Sequence, residues 1–113
     1  MAFDERLADR VREALPPHDA LSERRMFGGI AFMIAGNMCC GVLGDELIVR
    51  LGPEEAERAG AGAHTREFDS TGRPMRGWLM VAPEGTGADV DLSAWVERAV
   101  DHCLALPPKD GAP

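Results

Sequence analysis

Two adjacent cysteines carry the most reactive side chains in this 113-residue sequence. Cys39 and Cys40 offer thiols for a redox sensor or a thiol nucleophile, and either role needs a lowered pKa and access to solvent. Neighbouring residues of a strand point to opposite faces of a sheet, so the pair is badly placed to hold one metal ion. Free cysteine is often a small buried apolar residue, which is the simpler expectation for both.

The histidines do not form a pattern typical of a metal site or a catalytic centre. His18, His64 and His102 are scattered along the sequence, whereas zinc ligands usually occur in close pairs. Only His102 and Cys103 are adjacent, and consecutive helical residues point about 100° apart. We therefore predict no metal, no cofactor and no catalytic residues, and expect that the protein is not an enzyme.

Arginines form the only concentrated positive charge in the sequence; they are Arg24, Arg25, Arg50, Arg66, Arg73 and Arg76. Arg50 follows apolar residues of a predicted strand, and if buried it would need a carboxylate such as Asp69 or Glu67. The alternative is that Arg50, Arg73 and Arg76 together bind an anion or a partner. The candidate ligand- or partner-binding residues are Arg50, Arg73, Arg76 and Trp78.

Charge and composition exclude several classes of protein. The net charge is −7, with 19 acidic and 12 basic residues. An acidic surface disfavours docking on anionic lipid and direct binding to nucleic acid, unless a local basic patch overrides the overall charge in the second case. No apolar run approaches the ~20 residues of a membrane span, and three cysteines do not form a disulfide framework. We expect a cytoplasmic protein with one domain over residues 1–107 and a C-terminal tail at 108–113.

Hydrophobic periodicity predicts a helix at each end. Phe3, Leu7, Val11 and Leu15 are four residues apart and define one face of the first helix, which two prolines end. The strongest helical pattern lies over residues 92–104, with Asp89 or Asp91 as the expected N-cap.

Strand patterns occupy the middle of the sequence. Residues 26–35, 38–43 and 46–51 predict three strands joined by turns at 36–37 and 44–45, which is an antiparallel meander. A polar connector precedes them at 18–25. A short helix begins near Pro53, and 76–82 predicts a fourth strand whose neighbour is left open. The fold class is therefore α+β, with two layers: an antiparallel sheet and the N- and C-terminal helices on one face.

Four stretches together resemble the N-terminal domain of the TfoX/Sxy family. They are Met26-Phe27-Gly28-Gly29, Asp45-Glu46-Leu47-Ile48-Val49-Arg50, Phe68-Asp69 with Gly72-Arg73-Pro74-Met75-Arg76-Gly77-Trp78, and Leu92-Ser93-Ala94-Trp95-Val96. The resemblance covers roughly residues 5–107. It implies a secretion-chaperone-like α+β arrangement and kinship with bacterial regulators of natural competence. Those longer proteins carry a second, helical domain that this sequence lacks, so a stand-alone N-terminal domain is expected.

Apolar residues on both faces of several strands indicate that the face of the sheet without helices is also covered. Most of this methionine-rich set belongs to the core, and the remainder favours a protein partner or a second copy in a homodimer. The set comprises Phe27, Met33, Met38, Met75, Trp78 and Met80.

Three hypotheses follow for the function. The first is a non-enzymatic regulatory or protein-interaction domain. The second is a domain that binds a small anionic ligand through Arg50, Arg73 and Arg76. The third is a thiol redox sensor or thiol enzyme that uses Cys39 or Cys40.

Overall fold

Helices at both ends flank an antiparallel sheet, which confirms the predicted α+β class. The computed structural model describes residues 3–26, 28–60, 62, 64–68 and 76–107. Within them lie α1 (Glu5–Ala14), β1 (Leu21–Met26), β2 (Gly29–Ile34), β3 (Asn37–Leu43), β4 (Glu46–Arg50), α2 (Pro53–Ala59), β5 (Thr65–Glu67), β6 (Trp78–Val81) and α3 (Asp89–Leu104). The strand order is β1-β2-β3-β4-β6-β5, and all neighbours are antiparallel. The predicted tail at 108–113 lies outside the described residues.

The predicted meander corresponds to β2, β3 and β4, but its first turn is shifted by one residue. Ala35 and Gly36 form the turn with φ angles of 53° and 81°, as a two-residue hairpin with two left-handed positions requires. Asn37 instead begins β3, and its side-chain amide donates a hydrogen bond to the carbonyl of Pro107, 2.8 Å away. The side chain of Asn37 therefore contacts the segment that follows α3 and does not form the turn.

Strand β1 lies where the sequence predicted a connector. Five of its six residues are exposed, so it lacks the alternating apolar pattern of a half-buried strand. β1 is held in the sheet by backbone pairing with β2 along its whole length and by an ion pair between Glu23 and Arg12, 2.7 Å apart. The hydrogen bond from Arg12 lowers the pKa of Glu23.

The fourth predicted strand, β6, lies inside the sheet and not at an edge. It pairs with β4 on one side and with the three-residue strand β5 on the other. It is shorter than predicted, because Gly77 has a φ of 94° and turns the chain just before Trp78.

The main core lies between the sheet and the helices. Val11 of α1 and Val96 of α3 are fully buried against Phe32, Val42 and other residues of the sheet. The carboxylate of Asp4 caps α1 by accepting hydrogen bonds from two backbone N–H groups, at 2.9 and 3.2 Å. This face of the sheet is the one that both terminal helices were predicted to cover.

The predicted N-cap of α3 is wrong. Ala88 occupies the cap position and has no side chain to accept a hydrogen bond, while Asp89 is the first helical residue. The carboxylate of Asp89 lies 3.0 Å from Arg10 of α1. A negative charge in the first turn of a helix is favourable, so Asp89 still serves α3 electrostatically.

The described helices leave the opposite face of the sheet uncovered, and we call it the helix-free face. Strand register places one row of residues across all six strands of this face: Arg24, Ala31, Gly41, Ile48, Met80 and Arg66. The residues around this row on the same face include Ser22, Met26, Gly29, Met33, Met38, Leu43, Glu46, Arg50 and Trp78.

Candidate functional site

Arg50 and Trp78 were predicted as site residues, and the structure brings them together. They are cross-strand partners on β4 and β6, and the guanidinium carbon of Arg50 lies 5.2 Å from the centroid of the Trp78 ring. Such stacking is favourable because the positive charge faces the electron-rich ring. Arg50 makes no ion pair with Glu67 or any other described carboxylate, while Asp69 lies outside the described residues. The half-buried arginine therefore rests on an aromatic ring.

Arg76 lines a groove between α2 and β6, and Trp78 of the stack also lines this groove. The groove has a volume of about 510 Å³. Arg76 shares its rim with two carboxylates, those of Glu57 and Glu67, so the described lining does not select an anion. The lining residues are Pro53, Ala56, Glu57, Gly60, Glu67, Arg76, Gly77, Trp78 and Leu79. Arg73, the remaining predicted residue, lies outside the described residues.

A small apolar cluster surrounds the Arg50–Trp78 stack. Ile48, Phe68 and Met80 are buried on the helix-free face, and the ring centroids of Phe68 and Trp78 are 6.1 Å apart. Side chains at its margin are only half buried; they are Met38, Leu43 and Trp78. Phe27 and Met75, which were predicted to join this apolar set, lie outside the described residues. The cluster is thus closed at its centre and open to solvent at its margin.

Charge is divided between the two layers of the molecule. On the helix-free face, the described strands present Arg24, Arg50 and Arg66 against one carboxylate, Glu46, which pairs with Arg66 at 2.5 Å. The three helices carry ten acidic residues and five arginines. The helix-free face is therefore basic although the whole chain is acidic. Sequence reasoning counted Arg24 and Arg66 in the concentrated positive charge but did not place them in the candidate site, because β1 and β5 were not predicted as strands.

The two adjacent cysteines point into the same core, contrary to the expectation of opposite faces. The register shifts between Phe32 and Met33, which leaves Cys39 as an extra residue between the paired residues Met38 and Cys40. Such a bulge interrupts the alternation of a strand. Cys39 and Cys40 both join the helix-covered core, where Cys103 of α3 also lies.

Burial makes these thiols poor nucleophiles in the folded chain. Cys103 lowers the pKa of Cys39 through a hydrogen bond, but Cys40 and burial outweigh it, so the net pKa of Cys39 is raised. Hydrogen bonding to Cys39 and burial also raise the pKa of Cys103. Thiol chemistry at a surface needs the opposite combination, a lowered pKa and access. Among the described residues, no group of three or more potential ligands is arranged to hold a metal ion.

His102 lies against the glycine that precedes α2. A Cβ atom on Gly52 would lie 2.8 Å from the imidazole carbon Cε1, and Gly52 has a φ of 88°. The left-handed backbone therefore favours glycine at this position, and a Cβ atom there would force the imidazole of His102 to move. Burial lowers the pKa of His102 below 6.5, and the charge of Arg50 lowers it further.

We expect acidification to destabilise the protein in part through His102. Because its folded-state pKa is depressed, the unfolded chain binds the proton more readily, and stability is lost as the pH falls through 6.5. Thermal melts at pH 7.5 and 5.5 should therefore show a smaller loss of Tm in His102→Gln than in the wild type. His64→Gln, which changes an exposed histidine, is the control. An unchanged loss of Tm in His102→Gln would contradict this assignment.

Comparison with known proteins gives one match. The family model for the TfoX N-terminal domain matches residues 13–103. No curated protein matches, and no solved structure matches. The described residues contain no helix that is long and apolar enough to cross a membrane.

Proposed function

The chain belongs to the TfoX N-terminal domain family, and on that premise we propose that it is a non-enzymatic regulatory domain that binds a protein partner through its helix-free face. Domains of this family are regulatory and non-catalytic, and the family suggests a domain like that of the competence regulators. The proposed domain extends over residues 1–107. Three free cysteines support a reducing, cytoplasmic location.

The stack of Arg50 on the half-exposed Trp78 carries this proposal. Tryptophan and arginine are enriched among the residues that dominate protein–protein binding energy. The stack borders an apolar cluster whose margin includes Met38, and methionine adapts its shape to a partner at little cost. A partner would bury the exposed margin of the cluster and remove the remaining water from Trp78.

A different protein fits this face better than a second copy does. A two-fold dimer brings the same patch of each subunit together. Three arginines would then face a surface that has the same three arginines and one carboxylate. A homodimer through the helix-free face is therefore the alternative occupant, and a dimer mass in light scattering of the isolated protein would favour it.

Binding of a small anion is the second candidate function, which the guanidinium of Arg76 favours and the neighbouring carboxylates of Glu57 and Glu67 oppose. The groove beside Arg76 is large enough for a small molecule. A thermal-shift screen of carboxylates and phosphates separates it from the leading proposal, because a ligand that binds only the folded state raises Tm. Arg76→Gln should abolish such a shift, whereas it should leave the affinity for a protein partner that contacts Arg50, which does not line the groove, unchanged.

Affinity capture followed by measurement with purified components tests the leading proposal. Proteins captured from the host lysate by the wild type are identified, purified and titrated calorimetrically against the wild type, Arg50→Gln and Arg6→Gln. Arg6 is exposed on α1 and gives the same change of charge on the opposite layer. Loss of affinity only in Arg50→Gln is expected. Equal affinities for all three proteins would sink the proposal.

A further inference from the structure

The arginines of the helix-free face also indicate the charge of the partner that this face would bind. Arg24 and Arg50 have no carboxylate within ion-pair distance among the described residues, whereas Arg66 has Glu46. Arg24 is exposed, and 57% of the Arg66 side chain is accessible. The helix-free face therefore has positive charge available to an incoming group, both at the proposed partner contact and at the two edges of the sheet.

The positive charges lie at the two ends of an apolar row. Arg24 on β1 and Arg66 on β5 end the row, and its middle residues, from Ala31 to Met80, are all buried. Six strands spaced about 4.8 Å apart place the two end strands roughly 24 Å from each other. The methyl group of Met38 lies over the middle of the row, because a Cβ atom on Gly41 would be 3.0 Å from it.

We infer that the partner presents to this face an acidic segment whose carboxylates flank apolar side chains. The inference rests on the proposed function and specifies the chemistry of the partner at the same site. A carboxylate near Arg24 would meet a guanidinium that has no ion pair among the described residues, and one near Arg66 would share a guanidinium that already pairs with Glu46. Guanidinium groups bind carboxylates in two-pronged geometry. Apolar side chains between them would cover Met38 and the margin of Trp78. A segment about 24 Å long corresponds to roughly 16 residues of helix.

Two other occupants are distinguishable from this one. A second copy could offer its acidic helices to the basic face, and such a head-to-tail contact builds rings or open filaments of the protein. Single-stranded nucleic acid also combines negative charge with stacking surfaces, yet the acidic helices of this chain would repel it. Each of these occupants gives a different result in the following experiment.

The probe is a fluorescent 16-residue peptide with glutamates at both ends and an apolar centre. A control peptide of the same length has lysine in place of glutamate, and labelled oligo-dT represents nucleic acid. Binding is measured by fluorescence anisotropy at 50 and 300 mM NaCl. The proteins are the wild type, Arg24→Gln/Arg66→Gln and the matched variant Arg6→Gln/Arg58→Gln, which removes two arginines from the helical layer.

The glutamate peptide should bind at least tenfold more tightly than the lysine peptide, and more weakly at high salt. Arg24→Gln/Arg66→Gln should weaken its binding about fivefold to tenfold, since exposed charge pairs each contribute modestly. Arg6→Gln/Arg58→Gln should have the wild-type affinity. Equal binding of the two peptides, or no binding of the glutamate peptide, would overturn the inference.

The inference would also be overturned if oligo-dT bound more tightly than the glutamate peptide. It would be overturned as well if the protein formed concentration-dependent oligomers and did not bind the peptide. The proposed function is tested by a different measurement, the affinity of a captured partner for Arg50→Gln. If a captured partner still loses affinity in Arg50→Gln while the glutamate peptide does not bind, the partner contact stands and only its acidic chemistry is wrong.

Discussion

Trp78→Ala is expected to weaken binding of the protein partner by about 30-fold, more than any other single substitution on the helix-free face. Truncating a central interface tryptophan commonly costs about 2 kcal/mol or more, which corresponds to this factor. The indole supports Arg50 and contacts Phe68, so its removal disturbs both the cation and the apolar cluster. Calorimetric titration with the purified partner measures the effect.

The chain contains a matched control for this substitution. Arg98 lies over Trp95 on α3, with the guanidinium carbon 4.8 Å from the ring centroid. Trp95→Ala therefore removes the same type of stack from the helical layer and should leave partner affinity within about twofold of the wild type. Partner affinities that fall equally in Trp78→Ala and Trp95→Ala would indicate a general loss of structure and not a contact.

Phe32→Ala should cause the largest loss of stability, about 3–5 kcal/mol in the free energy of unfolding. Phe32 has no exposed surface and lies on the helix-covered face, where Arg12 of α1 is 5.7 Å from its ring centroid. The cavity would lie between the sheet and the helices. The expected loss in the free energy of unfolding is a large part of the roughly 5–15 kcal/mol by which folded domains are stable. Urea denaturation followed by circular dichroism gives the difference.

Phe32→Leu is the control for the loss of Phe32, because it keeps much of the volume and should cost less than about 1.5 kcal/mol. Phe68→Ala provides the comparison with the helix-free face, since Phe68 belongs to the small cluster there. A change below about 1 kcal/mol in Phe32→Ala would show that the main core is not at the helix-covered face.

The elements that sequence reasoning predicted correctly are those whose own residues have a hydrophobic pattern that matches their burial. Leu7 and Val11 are four residues apart and are buried in α1, and the apolar runs of β2, β3 and β4 are buried at most of their positions. The turn at Gly44 also follows from local chemistry, because glycine permits its φ of 60°.

The strands that it missed are stabilised by their neighbours. β1 is polar and exposed, and β5 has only three residues, so neither shows a hydrophobic period. Both form because β2 and β6 offer unpaired backbone groups at the edges of the sheet. Such pairing depends on residues distant in sequence and leaves no local pattern.

The candidate site was predictable in part for the same reason. Alternation along β4 places Ile48 and Arg50 on one face, and Arg50 and Trp78 were identified from their residue types. Their contact depends on the register between β4 and β6, which local patterns do not specify. The shared burial of Cys39 and Cys40 depends on a bulge, where one inserted residue reverses the expected direction of a side chain.

Site-specific photo-crosslinking in the host cell tests most directly whether the partner occupies the helix-free face. Benzoylphenylalanine replaces Met33 on the helix-free face in one strain and Ala94, which is exposed on α3, in another. The proposed contact predicts a light-dependent adduct with a partner protein from position 33 and none from position 94. An adduct from position 94 alone would place the partner on the helical layer and contradict the account.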